Sequence, residues 1–141
     1  AMSLPLTMHF ELAEFACHDG TPYPSEWIQD RLVPLCTMLE VIRSELGGRV
    51  VYIVSGYRTG DYNASLAANG HHVAGHSQHT DGRAADIKAE GMAASDVHAA
   101  IERLQADGRL PLLGGLGKYP GWTHVDIRHK PADGHLARWT G

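Results

Sequence analysis

Histidine is the residue type that stands out, with ten in 141 residues. Imidazole is the commonest side-chain metal ligand and a frequent general acid or base, so spacing has to choose between the roles. Side chains alternate across a strand. In the stretch 122–128, Val125 and Ile127 share an apolar face, while Trp122, His124, Asp126 and Arg128 share a polar one. In the stretch 83–89, Ala85 and Ile87 point to one side, and Ala84, Asp86 and Lys88 to the other. His79 stands seven residues before Asp86, just ahead of an Asp81-Gly82 turn able to fold it back beside that carboxylate. His79, Asp86 and His124 on one open surface would suit Zn2+, with the fourth position left to water; a closed set of four ligands would instead indicate a structural ion. A His-x6-Asp pair alone is a weak signal, and the blander reading of any single histidine is surface or core.

These side chains need elements to hold them. A short helical turn is expected at 11–15. From Ser25, read as an N-cap, Ile28, Leu32, Leu35, Leu39, Ile42 and Leu46 recur at spacings of four and three, the pattern of one buried helix face. Pro34 predicts a kink or restart, and Gly47-Gly48 the end. Residues 49–55 read as a strand, central in its sheet because both faces are apolar. Residues 60–69 read as a short helix or ordered loop, and 70–82 as a loop carrying His71, His72, His76 and His79. A strand at 83–89 precedes a second amphipathic helix at 93–107, with Val97, Ala100, Ile101 and Leu104 inward. Strands at 112–119 and 122–128 form a hairpin around Pro120-Gly121. That order predicts a single α+β domain, a largely antiparallel sheet with flanking helices. Residues 1–9 read as an expression remnant or N-terminal arm, and 10–141 as the domain.

Composition narrows the function. Twelve Lys and Arg against sixteen Asp and Glu give a net charge of −4, which argues against a nucleic-acid partner. No apolar run approaches the roughly 18 residues of a membrane span, so no membrane insertion is expected. The opening residues lack the basic and apolar regions of a signal peptide. Cys17 and Cys36 make no disulfide framework and read as small buried hydrophobes. Gly114, Gly115 and Gly117 do not continue into a phosphate-loop motif.

The motifs themselves carry a likeness. Ser55-Gly56-Tyr57-Arg58-Thr59, Tyr62-Asn63, the run Ser77–Ile87 with the pattern S-x-H-x-x-G-x-A-x-D-I, and the late stretch Gly114–Arg128 with W-x-H resemble the zinc D-Ala-D-Ala carboxypeptidases. The likeness runs from about Phe10 to Trp139. That family shares the hedgehog/DD-peptidase fold with dipeptidases, phage endopeptidases and the hedgehog signalling domain.

The resemblance implies that His79, Asp86 and His124 are zinc ligands and that Arg58 steadies the substrate's carbonyl or carboxylate oxygens. It implies that Ser77 sits beside the site and helps bind substrate. Asn63 and Tyr57 match positions that shape the pocket or brace its loops, and Trp122 is a candidate wall of the cleft. Many relatives place an acid three residues before the last zinc-binding histidine, as general base; here that residue is Gly121. Asp126 is the nearest spare carboxylate, either as base or as a group that orients a ligand histidine. Two residues along a strand is about 6.6 Å, which favours the orienting role. His71, His72, His76 and His129 are alternates.

The expected function is a zinc-dependent peptidase acting on peptidoglycan stem peptides, either a carboxypeptidase or an endopeptidase of the lysin kind. The rival reading is a zinc-retaining binding or structural module that has lost catalysis. A monomer is expected, acting in the cell envelope, periplasm or outside the cell, where that substrate lies.

Overall fold

The computed structural model describes residues 3–71 and 77–141; His72 and His76 lie outside the described residues. Five strands form one sheet in the order β1-β2-β4-β3-β5: β1 (Val51–Ser55), β2 (Ala84–Ala89), β3 (Gly115–Lys118), β4 (Thr123–Asp126) and β5 (Ala137–Thr140). All pairings are antiparallel except β3 with β5. The α+β expectation and the β3–β4 hairpin both hold.

The first long helix is built in pieces. A 3-10 turn at Ser25–Trp27 and a π turn at Ile28–Leu32 lead into α1 (Val33–Glu45). Pro34 sits in the first turn of α1, where a missing N–H costs nothing, so the restart falls where proline demands it. Ser25 is not the N-cap; Pro24 holds that place and no side chain caps the turn. Leu32, Leu35, Leu39 and Ile42 are fully buried. They pack with α3 (Ala94–Ala106) and with Ala85, Ile87, Leu116 and Val125 of the sheet in one core. The sheet is therefore apolar towards the helices and free to be polar on its other face. A third helix, α2 (Gly60–Ala68), starts on Thr59, whose hydroxyl accepts from the Tyr62 N–H.

Two expectations are corrected. Residues 49–55 do not form a central strand: β1 lies at the sheet edge, with Tyr52 half exposed. Its double apolar pattern arises because Ile53 packs on the core while Val54 lines a cleft on the other side. And β5 was not expected. Four residues with only Ala137 and Trp139 to mark them are too short for a periodic signal, and β3 recruits them by parallel pairing. Leu136, which is buried, pins this tail. Both cysteines are free and buried.

Candidate functional site

Strand register does most of the positioning. Asp86 on β2 is directly opposite His124 on β4, and Gly117 of β3 is opposite His124 from the other side. The Asp81-Gly82 turn, with Gly82 at φ 69°, returns the chain so that His79 meets both. Gly82 is obligatory on two counts. Its left-handed backbone favours glycine, and a Cβ there would press on the Tyr23 hydroxyl, which donates to the Gly82 carbonyl at 2.7 Å.

His79, Asp86 and His124 come together, all buried, with one potential ligand atom from each lying within 4.8 Å of the others. Asp86 Oδ1 is 3.2 Å from His79 Nε2 and 3.0 Å from His124 Nδ1. The outer nitrogens are committed elsewhere. His79 Nδ1 donates to the Gly56 carbonyl at 2.7 Å. A carbonyl only accepts, so in the neutral ring Nε2 keeps its lone pair. His124 Nε2 donates to Asp126 Oδ2 at 2.7 Å, which leaves Nδ1 facing inward. Three electron-pair donors thus converge on one buried point, an arrangement that calls for a cation. The donor set, two imidazoles and one carboxylate, fits a divalent transition metal with an open coordination position.

Burial and the neighbouring carboxylates act differently on the two rings. Burial pushes the His79 pKa down, outweighing the nearby Asp86 carboxylate, so this ring is neutral at neutral pH. Burial also opposes charge on His124, but hydrogen bonds to Asp126 and Asp86 win and raise its pKa. Burial works against ionised Asp86 as well, yet the His124 and His79 rings beside it hold its pKa well below the usual carboxylate range.

Arg58 lies against the same carboxylate. Its Nη2 donates to Asp86 Oδ2 at 3.3 Å, Nε to Ser55 Oγ at 3.2 Å and Nη1 to Asn63 Oδ1 at 3.4 Å. Ser77 Oγ accepts from the His79 N–H at 3.1 Å, tying that loop to the site. Arg58, Ser55, Ser77 and the His79–Asp86–His124 cluster line an open cleft of about 840 Å³ with Trp122, Tyr119, His71, Arg128 and Trp139. Trp122 stacks on Tyr119 with ring centroids 4.9 Å apart.

Asn63, Tyr57, Asp126 and the alternate His129 stand apart from that lining. Asn63 is buried behind Arg58. Tyr57 packs edge-on against Tyr23 and Trp27, bracing the loop rather than facing the cleft. Asp126 is fully buried outside the cleft wall, with both oxygens engaged by His124 and Arg128. Gly121 is exposed with open space where a side chain would go, so nothing steric excludes an acid there. His129 is exposed and does not line the cleft.

Sequence reasoning placed Arg128 on the polar strand face without giving it a task, and it gave Trp139, at the end of the family likeness, no place in the cleft. Arg128 was readable from the same i, i+2 alternation that marks His124 and Asp126. The place of Trp139 was not, because its strand has no pattern of its own and is set by pairing with β3.

A family model described as Peptidase M15 matches residues 8–126. The peptidoglycan L,D-endopeptidase MepK of Escherichia coli strain K12 is 39% identical over 82 residues, covering 58% of this chain and 41% of the relative. MepK of Shigella flexneri gives the same figures. The aligned part thus spans about two fifths of the length of these curated relatives. No solved structure matches.

Proposed function

This chain belongs to the peptidase M15 family, and on that premise we propose that it is a zinc-dependent peptidase that hydrolyses peptide bonds in peptidoglycan stem peptides. The observation that carries the reading is the inward convergence of His79 Nε2, His124 Nδ1 and an Asp86 oxygen at the floor of an open cleft. A closed structural site would not open onto 840 Å³ of substrate-sized space.

His79, Asp86 and His124 would hold the ion. When bound, zinc supplies a Lewis acid and lowers the pKa of a coordinated water towards about 7. The chain's own residues do the rest. Arg58 is fixed by Ser55, Asn63 and Asp86, and it presents its guanidinium to the oxygen that gains charge as the carbonyl is attacked. Its positive charge also meets a substrate carboxylate, which an otherwise acidic chain needs. Trp122 stacked on Tyr119 forms an apolar wall for the peptide. Asp126 holds the His124 ring by its Nε2–H, the orienting role, rather than taking a proton in the cleft.

The reading covers both a carboxypeptidase and an endopeptidase. Similarity to the MepK proteins favours the endopeptidase. Either substrate places the enzyme outside the cytoplasmic membrane. Among the described residues no helix is long and apolar enough to cross a membrane.

The test is incubation of zinc-loaded protein with purified peptidoglycan, the products read by mass. Release of cross-link or stem fragments supports the endopeptidase and loss of a single alanine the carboxypeptidase. Absence of product overturns the proposal and favours a binding module, whereas full activity after chelation overturns its zinc dependence.

A further inference from the structure

Asp126 is a buried carboxylate, and such a group is costly without a cation and a full set of hydrogen bonds. Arg128 supplies both. Its Nε donates to Asp126 Oδ1 at 2.9 Å and its Nη2 to Oδ2 at 2.7 Å, a two-pronged clamp. The Arg128 backbone N–H adds a third bond to Oδ1 at 3.1 Å. Gly115, opposite Asp126 on β3, closes the remaining side: a Cβ there would overlap the carboxylate. The guanidinium itself is seated 5.1 Å above the Trp139 ring, and the same ring lies 4.9 Å from the His124 imidazole. Trp139 is held in turn by its Nε1–H, which donates to the Tyr119 hydroxyl at 2.8 Å.

We propose that Arg128 is a positioning residue for the metal centre: through Asp126 it fixes the plane and tautomer of His124, so that Nδ1 points at His79 and Asp86. Trp139 is the platform on which both Arg128 and His124 rest. Arg128 and Trp139 lie beyond the segment that the family model matches, which ends at Asp126. The inference rests on the metallopeptidase reading but assigns a task which that reading leaves empty. The physical reason for a guanidinium is geometric. Only a planar fork can grip both carboxylate oxygens at once, and a lysine ammonium cannot. Fixing the carboxylate fixes the direction of the His124 Nε2–H bond, and hence the direction of the lone pair on the opposite side of the ring.

The experiment is a zinc titration against a competing chromogenic chelator, run on the full chain and on Arg128→Met, Arg128→Lys, Asp126→Ala and the Asp126→Ala/Arg128→Met double variant. Arg128→Met is expected to weaken zinc binding about 10–100-fold, the usual effect of losing a group that orients a ligand histidine. In the Asp126→Ala background the same change is expected to do nothing further, because Arg128 acts only through that carboxylate. Should Arg128→Met fail to fold, Arg128→Lys decides: it keeps a charge but not the fork, and a several-fold loss of zinc affinity is expected. Wild-type zinc affinity in the folded single variants overturns the inference. So do losses that multiply in the double variant, or a rise in KM with zinc affinity intact, which would place Arg128 on the substrate. If the wild-type chain takes up no zinc, the functional reading fails and this inference falls with it. If the wild type binds zinc and the Arg128 variants match it, the positioning role alone falls.

Discussion

His124 and Asp126, two residues apart on β4, turn towards one another on the polar sheet face, with Nε2 and Oδ2 2.7 Å apart. That contact decides which imidazole nitrogen looks into the cluster. It also lets burial, normally unfavourable to a charged carboxylate, coexist with an Asp126 pKa pulled down to about 2 by His124 and Arg128.

Asp126→Asn is the gentlest way to probe it. The amide keeps an acceptor for the His124 Nε2–H but loses the charge that Arg128 grips. The fold should persist, with the far-ultraviolet circular dichroism of the wild type. Zinc affinity should fall by about 10-fold or more. Undiminished affinity would show that His124 is held by its packing alone.

Gly117→Ala tests the aromatic wall. A Cβ on Gly117 would come within 2.6 Å of Trp139 Nε1, against a ring that the β3–β5 pairing holds in place. Forcing extra bulk into such a contact costs about 1–3 kcal/mol, and the Trp139–Tyr119 hydrogen bond should break. Thermal unfolding and the tryptophan near-ultraviolet signal should both change. A wild-type Tm would mean that β5 yields freely and does not wall the cleft.

Arg58→Lys keeps the charge and discards the fork that joins Ser55, Asn63 and Asp86. Turnover of peptidoglycan fragments should drop by about 100-fold, the size seen when one oxyanion donor is lost. The metal content should stay near the wild-type level. Unchanged kcat/KM would remove Arg58 from the chemistry.

How much of this was legible depends on the residue. His79, Asp86 and His124 could be read because a turn and two alternating strands leave few places for their side chains. The amphipathic helices were equally plain, since Leu35, Leu39 and Ile42 keep a 3.6-residue period for several turns. Strand β1 misled because apolar residues on both faces signal a buried strand, and Val54 faces a cleft instead of a second layer. Strand β5 stayed hidden because parallel pairing with β3 is a long-range choice that four residues do not encode. Tyr57 is conspicuous in its motif, yet its partners Tyr23 and Trp27 are far off in sequence, so its bracing role appears only in three dimensions.

Cys36 gives a pH prediction independent of the site. Burial raises its thiol pKa from 9.0 to about 12. Below pH 9 both folded and unfolded chains keep the proton, and the contribution to stability is intact. Between pH 9 and 12 the unfolded chain alone releases it, so stability falls by about 1.4 kcal/mol per pH unit from this group. Urea midpoints measured across that range should decline less steeply in Cys36→Ala than in the wild type. Parallel slopes in the two proteins would contradict the burial argument.

The central claim is that His79, Asp86 and His124 form one metal centre. The most direct measurement is the metal content of purified, zinc-equilibrated and dialysed protein, wild type beside His79→Ala, by inductively coupled plasma mass spectrometry. The account predicts one zinc per chain in the wild type and close to none in the variant. Retention of one zinc per chain by folded His79→Ala would contradict it.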